Sequence, residues 1–465
     1  MSIFECSPTA RIERLSVTAL ARRAAMLLAS SVCLSAQAVH LSENGIGQAL
    51  LYPYYTARGG TVSVITVVNH TDRAKALKVR FIEGKASKEV LDFNLYLSAH
   101  DQWAVAIGAA TSGVGAIIKT LDRSCTTPPI PVEGQAFVDY AYRSDPIAGT
   151  LDRTMEGYAE IIEMADILPG SPSEAAITHR AGIPNDCTSL RSDTLPRDII
   201  VGSGGLSGQG YLITPNSGTS YGYAATALEN FAKNQPVWFE PGSINPNLTH
   251  VNPKISLVFD RRLGLVMTDW STGSASVPVD PVSAVLSRGY VQNTYTTNAN
   301  IGGTSSWVVT MPTKSYYFRG TNQVRLFPSD LTAAGSCHTA NLEGWDAEAG
   351  IVTTSLRGGG APNQMCWESS VINFGTGGAT IASSNAYRAG TLPGADGNAR
   401  LSFGTALLST KGAVTTIISP NATVKVRTDV AYVGLPVIGF QLTSMSGANK
   451  QYPALYPHRG EVDIR

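Results

Sequence analysis

Apolar and polar side chains alternate with a period of two through residues 61–110, and this pattern predicts a sheet. Thr61-Val-Ser-Val-Ile-Thr-Val-Val68 is a β-branched run, broken by the turn formers Asn69-His-Thr-Asp72. In the next run Leu77, Val79 and Phe81 alternate with Lys78 and Arg80. Glu83-Gly84-Lys85 turns the chain again, and Leu91, Phe93, Leu95 and Leu97 then alternate with Asp92 and Asn94. Trp103-Ala-Val-Ala-Ile107 supplies a fourth strand. Successive side chains of a strand point to opposite faces, so each run has an apolar and a polar side. Phe81, Phe93 and Leu95 are expected in one shared core, with Lys78, Arg80 and Asp92 facing water.

Further strands are predicted at residues 135–142, 157–164, 254–259, 306–311, 315–318, 413–418, 423–428 and 435–444. Helical spacing is scarce. Ala225, Leu228 and Phe231 predict a short helix over 223–233, and Pro281 opens a second over 280–288. Stretches rich in Pro, Gly and Ser at 169–185, 201–222, 357–364 and 390–398 read as loops. No fixed-period repeat is evident, and a soft domain boundary falls within residues 241–253.

The N-terminus follows a different pattern. Arg11, Arg14, Arg22 and Arg23 precede an apolar run at 24–34, and Ala36-Gln-Ala38 follows it. That order reads as a signal peptide over residues 1–38, cut after Ala38. The run falls short of the roughly 20 residues that cross a bilayer, and no second apolar stretch reaches that length, so no transmembrane span is expected. The mature protein is expected to start at Val39 in an oxidising compartment: periplasm, outer surface or medium. Cys6 and Cys33 leave with the leader, and Val32 before Cys33 argues against lipidation there. Cys125, Cys187, Cys337 and Cys366 remain, an even number that reads as two disulfides. Of the three pairings, Cys125–Cys187 with Cys337–Cys366 is the sequence-local one and is preferred.

Charge adds an exclusion. The chain has 35 basic and 35 acidic residues, and the leader removes four Arg and two Glu, so the rest stays near neutral. Such a chain has no electrostatic reason to bind nucleic acid. Only 15% of residues are charged, against about 25% in a typical domain, so Ser, Thr and Asn must supply much of the polar surface.

The strand, Asn-Thr-Asp turn, V-x-F strand, Gly turn and F-x-L-x-L strand together resemble the immunoglobulin-like β-sandwich modules of bacterial surface and secreted proteins. The resemblance covers about 50 residues. The chain from residue 39 onward also resembles a family of exported proteins of Gram-negative bacteria that open with G-x-x-L-x-Y-P-Y-Y, here residues 47–55. That likeness brings over no activity and no binding residue. The expected architecture is mainly β. An immunoglobulin-like antiparallel β-sandwich with long loops occupies 39–250, a second β-rich domain occupies 251–465, and helices are few and short.

Candidate chemistry is thin. Gly218-Thr-Ser220-Tyr-Gly222 matches the nucleophile-elbow pattern G-x-S-x-G, with His250 and Asp260 as available partners. No βαβ alternation surrounds it, so a glycine turn is the preferred reading. Glu160 and Glu163 suggest a glycosidase pair, but residues three apart on a strand point to opposite faces and share no sugar ring. His40, His70, His100, His179, His250, His338 and His458 are scattered, with no metal-ligand spacing. His70 and His100 fall in predicted turns and are expected in water. The loop Gly202-Ser-Gly-Gly-Leu-Ser-Gly-Gln-Gly210 lacks the G-K-[ST] ending of a phosphate loop and reads as a linker or hairpin loop. Tyr52, Tyr54 and Tyr55 suit sugar stacking, but closing the end of a core is the preferred role.

No catalytic, cofactor-binding or metal-binding residue is assigned. The sequence favours a non-enzymatic envelope or surface protein, structural or adhesive, whose partners are other surface proteins or glycans. A secreted hydrolase using Ser220 or a Glu, and a carbohydrate-binding protein, are the alternatives.

Overall fold

The computed structural model describes residues 37–190, 195–273, 277–318, 326–327, 330–348, 350–358, 360–375, 379–404, 406–410, 412–447 and 450–465. Residues 1–36 of the predicted leader, with Cys6 and Cys33, lie outside the described residues. The first ten strands in chain order are β1 (His40–Leu41), β2 (Ala49–Thr56), β3 (Val62–Asn69), β4 (Lys75–Glu83), β5 (Glu89–Leu97), β6 (Gln102–Ala109), β7 (Ala116–Lys119), β8 (Cys125–Thr127), β9 (Gln135–Ala136) and β10 (Glu156–Ile167). The alternation read from residues 61–110 thus forms β3 to β6.

Two sheets built from these strands pack face to face. One runs from β1 through Thr226–Glu229, β2, β10, β4 and β5 to β8, and Ile199–Ile200 joins it beside β10. The other runs from Thr219–Ala224 through Leu206–Thr214, β3, β6 and β7 to β9. Phe81, Phe93 and Leu95 lie between them with Leu77, Val79, Trp103, Val105 and Ile161, in one apolar cluster. Trp103 meets Phe93 edge-on at 5.7 Å, and Tyr55 meets Phe81 at 5.9 Å. Burying such rings supplies most of the driving force for closing the sandwich.

The polar side of β4 and β5 corrects an expectation. Lys78 is fully buried, Arg80 is nearly so, and Asp92 is half-buried. The cover comes from distant chain. Asn94 Nδ2 donates to the Phe239 carbonyl at 3.0 Å, and Tyr316 lies against Arg80. Period-two alternation says which side chains share a face, and it is silent on what later packs on that face.

Other expectations also shift. The predicted helix over 223–233 is two strands, Thr219–Ala224 and Thr226–Glu229. Burial alternates strictly in the first, with Thr219, Tyr221 and Tyr223 inward, and pairing of the first with Leu206–Thr214 and of the second with β2 outweighs a weak helical spacing. Residues 135–142 form only β9 and a 3₁₀ turn at Tyr140–Tyr142. Residues 315–318 are no strand: Lys314–Tyr317 is a 3₁₀ turn, and Tyr317 Oη donates to Asp280 Oδ1 at 2.8 Å. The helix expected at 280–288 is Asp280–Leu286, with Pro281 in its first turn. Among the described residues it and Pro172–Ile177 are the two α-helices, and no helix is long and apolar enough to cross a membrane.

From residue 255 onward the chain builds further sheets. A six-stranded sheet runs Leu356–Arg357, Ala386–Ala389, Ser369–Phe374, Thr304–Thr310, Ile438–Gly447, Lys450–Pro457. Two four-stranded sheets run Ile255–Asp260, Gly264–Asp269, Val414–Ile418, Val424–Arg427 and Tyr290–Thr296, Asp396–Ser402, Asn341–Asp346, Ile351–Thr354. The six-stranded sheet joins the sandwich core: Val308, Val371, Phe440 and Leu442 belong to the same cluster as Phe81, and Phe440 stacks on Tyr223 at 4.8 Å. Thr310 Oγ1 donates to the Pro53 carbonyl at 2.6 Å across this contact. Glu156 ties the same junction polarly, accepting from Tyr54, Arg58, Ser383 and Ser384.

The four cysteines pair as Cys125–Cys187 and Cys337–Cys366, and no described cysteine is free.

Candidate functional site

A groove of about 1510 Å³ opens where the sandwich meets the later sheets. Its sandwich wall includes Thr61, just before β3, and Thr214, Ser217, Thr219 and Tyr221 from the hairpin that ends the second sheet. Hydroxyls there bond one another: Thr61 Oγ1 lies 2.9 Å from Thr214 Oγ1, and Ser217 Oγ lies 2.7 Å from Thr219 Oγ1. The opposite wall includes Thr304, Thr380, Gly390 and Thr391. Val352 to Thr354, also in this wall, belong to Ile351–Thr354, the edge strand of its sheet. An edge strand leaves one row of backbone N–H and C=O groups open to a partner.

The charged residues of the lining are Arg357 and Arg388. They sit on the antiparallel pair Leu356–Arg357 and Ala386–Ala389, directly opposite each other in register. Directly opposed residues project on one face, and like charges there repel. Arg357 Nε donates to Ser355 Oγ at 3.2 Å. Among the described residues neither guanidinium forms an ion pair, and both side chains are exposed. The groove therefore offers two adjacent forked donors in a wall of hydroxyls, a geometry suited to carboxylate or sulfate groups.

The residues singled out in the sequence go elsewhere. Ser220 alternates with Thr219 and Tyr221 and is exposed on the outer side of its strand. The turn before it is a 3₁₀ turn closed by Gly218 at φ 65°, so the G-x-S-x-G stretch is one end of a hairpin. His250 Nδ1 accepts from the Asn247 amide, and its ring packs on Phe239 at 5.0 Å. Asp260 accepts from the amides of Arg262 and Leu263. Each proposed triad partner is thus committed to its own turn.

Glu160 and Glu163 also separate. Glu160 meets Arg80, whereas Glu163 meets Lys75 at 2.6 Å and the Gly204 amide at 2.9 Å. Burial raises the pKa of Glu160, with Arg80 pulling it back. It lifts that of Glu163 to about 7 against the opposing charge of Lys75. Tyr52, Tyr54 and Tyr55 are buried, with hydroxyls donating to the Thr66 carbonyl, Glu156 and the Thr154 carbonyl. The glycine stretch is half strand. In Leu206–Thr214 a Cβ on Gly208 would lie 2.1 Å from Tyr52 Oη, and one on Gly210 would lie 2.0 Å from Tyr223 Cζ, so both glycines make room for rings.

The histidines are dispersed. His70 contacts Ser207, His100 contacts Asp72, His179 contacts Ser98, and His458 contacts the Val308 carbonyl. His70 and His100 are exposed, as their turn positions imply. His40 lies 3.6 Å from Glu229. His338 is buried, and its ring lies among Phe327 and Phe403. Among the described residues no group of three or more His, Cys, Asp or Glu side chains is placed to hold a metal ion.

Sequence reasoning missed Arg357 and Arg388. They lie on strands of two and four residues, too short to alternate, and Arg357 opens the stretch 357–364 that reads as loop. No family model, no curated protein and no solved structure matches this chain, so the reading of the groove rests on its own geometry.

Proposed function

We propose that this chain is an exported envelope or surface protein that acts by binding, and that its groove takes an extended glycan bearing acidic groups. One observation carries the reading: Arg357 and Arg388 stand side by side without a carboxylate ion-pair partner among the described residues, in a hydroxyl-lined groove. Two guanidiniums held in register gain most from a ligand that presents anionic groups at a matching spacing. Thr and Ser hydroxyls along the walls can both donate to and accept from sugar hydroxyls. The two disulfides suit an oxidising location.

The test is retention of the leader-free protein on immobilised polyuronate, compared with a neutral polysaccharide of similar length. Retention on polyuronate alone, lost with salt and in the Arg357→Ala/Arg388→Ala variant, is the expected result. Equal retention on the neutral polymer, or retention unchanged in the variant, overturns the proposal. Release of soluble sugar from the column would restore the hydrolase reading instead.

A further inference from the structure

Lys75, Glu163 and Asp166 form a closed set at one end of the sandwich. Lys75 and Asp166 face each other directly across the β4–β10 pair. The lysine Nζ lies 2.6 Å from Glu163 Oε1 and 2.7 Å from Asp166 Oδ1. The three side chains are 0%, 0% and 3% exposed. The loop before Leu206–Thr214 seals the set: Ser203 Oγ lies 3.1 Å from Nζ, and the Gly204 amide donates to the Glu163 carboxylate. Gly202 is pressed so close that a Cβ there would sit 2.5 Å from Glu163 Oε2.

Proton counting makes this set reactive. Two carboxylates against one ammonium would bury a net negative charge, which is costly in a dry site. Retaining one proton makes the set neutral, and burial has already raised the Glu163 carboxyl into the neutral pH range. With Glu163 protonated, moving one ammonium proton to Asp166 removes the last two charges. It leaves a free amine against an uncharged carboxylic acid, the pair that condenses.

We propose that Lys75 and Asp166 condense to an amide, with Glu163 shuttling the protons, so that β4 and β10 are joined by an intrachain cross-link. The Nζ lone pair forms a bond to Asp166 Cγ as the carbonyl pair moves onto oxygen. Glu163 gives its proton to that oxygen and takes one from the nitrogen. It then gives a proton to one hydroxyl of the tetrahedral centre and takes the proton of the other as the C–O bond breaks, so that water leaves and the carbonyl re-forms. Amine and acid become amide and water, nothing is oxidised or reduced, and Glu163 ends as it began. Holding the reactants in contact supplies the driving advantage, since fixed neighbours reach effective concentrations of about 10⁵ M or more.

Lys78 is the built-in comparison. It meets Asp92, whose side chain is 17% exposed, and the nearby Glu89 is bound to Arg80. Among the described residues it has no free carboxyl beside it to shuttle a proton, and its partner is only half-buried. The cross-link does not depend on what the groove binds.

The experiment is peptide mass spectrometry of the leader-free wild-type protein after reduction and digestion. The expected result is one branched peptide joining the Lys75 and Asp166 segments, lighter by one water than their sum and uncut by trypsin after Lys75. Asp166→Ala and Glu163→Gln should each abolish it. The wild-type digest needs no variant to fold. Separate, full-mass Lys75 and Asp166 peptides overturn the proposal, as does a branch at Lys78 in place of Lys75. Persistence of the branch in Glu163→Gln overturns the role of Glu163.

Discussion

Arg80 and Glu160 stand directly opposite each other across β4 and β10 and form a hydrogen-bonded ion pair with both side chains out of water. Arg80 Nε donates a second bond to Glu89 Oε2 at 2.6 Å. The pair lies on the face of β4 whose alternation with Val79 and Phe81 promises exposure, so a pattern correct about sides was incomplete about cover. A buried ion pair contributes little net stability, because desolvation offsets attraction. Removing one partner is a different matter, since the other is left charged and dry.

Arg80→Ala is therefore expected to destabilise the protein by about 3–5 kcal/mol, the range for orphaning a buried charge. Phe93→Ala should cost a similar amount, about 3–5 kcal/mol, for emptying a core aromatic site. Urea melts of the two variants beside wild type check both. A loss under about 0.5 kcal/mol for Arg80→Ala would mean that water reaches the guanidinium, as at an ordinary surface site.

The strands of the sandwich were legible because β-branched runs, strict alternation and turn residues agree over residues 61–107. The cysteine pairing was legible because four cysteines after residue 38 allow only three pairings, of which one is sequence-local. What lies over Lys78 and Arg80 was not legible. Asn94 and Phe239, which close that face, are 145 positions apart, and no local pattern encodes such a contact. The stretch after Gly222 was misread because Ala225, Leu228 and Phe231 fit a helix while Tyr221, Tyr223 and Ala225 fit a strand. Pairing of Thr219–Ala224 with Leu206–Thr214 and of Thr226–Glu229 with β2 decides between them. Arg357 and Arg388 meet only through a short pairing that joins segments 31 positions apart in register.

Ser220→Ala should leave stability within about 0.5 kcal/mol of wild type, because the hydroxyl is exposed on a hairpin strand and holds nothing in place. A fluorophosphonate probe should label neither protein. Labelling of wild type that disappears in the variant would promote Ser220 to a nucleophile and would require a base that the hairpin does not present.

Thiol titration of the chain from Val39 onward in denaturant should find no reactive cysteine. Cys125 and Cys187 are separated by 62 positions, and Cys337 and Cys366 by 29. Loops of these lengths restrict the unfolded chain enough for each bond to contribute about 3–4 kcal/mol. Reduction should lower the urea midpoint in steps that Cys125→Ser/Cys187→Ser and Cys337→Ser/Cys366→Ser reproduce separately. Two or more reactive thiols before reduction would refute the pairing in solution.

His338 gives the protein an acid sensitivity that can be isolated. Its ring is buried against Phe327, and neither ring nitrogen has a hydrogen-bond partner among the described residues. Burial, reinforced by the nearby Lys314 charge, holds its pKa well below the usual 6.5. The folded protein thus keeps this ring neutral at a pH where the unfolded chain would protonate it. Unfolding then takes up one proton below pH 6.5, so stability from this site is fully present above 6.5 and is lost as pH falls. The slope is about 1.4 kcal/mol per pH unit for one proton. His338→Phe keeps an aromatic ring beside Phe327 and Phe403 and removes the titration. Glu368, buried and raised to about 8, acts in the opposite direction, but it is present in both proteins and cancels from the difference. Urea melts from pH 7.5 down to about 4.5 should show the wild-type and variant stabilities diverging below 6.5, with the variant losing less. Parallel curves would show that the ring is already protonated in the folded protein or is reached by water.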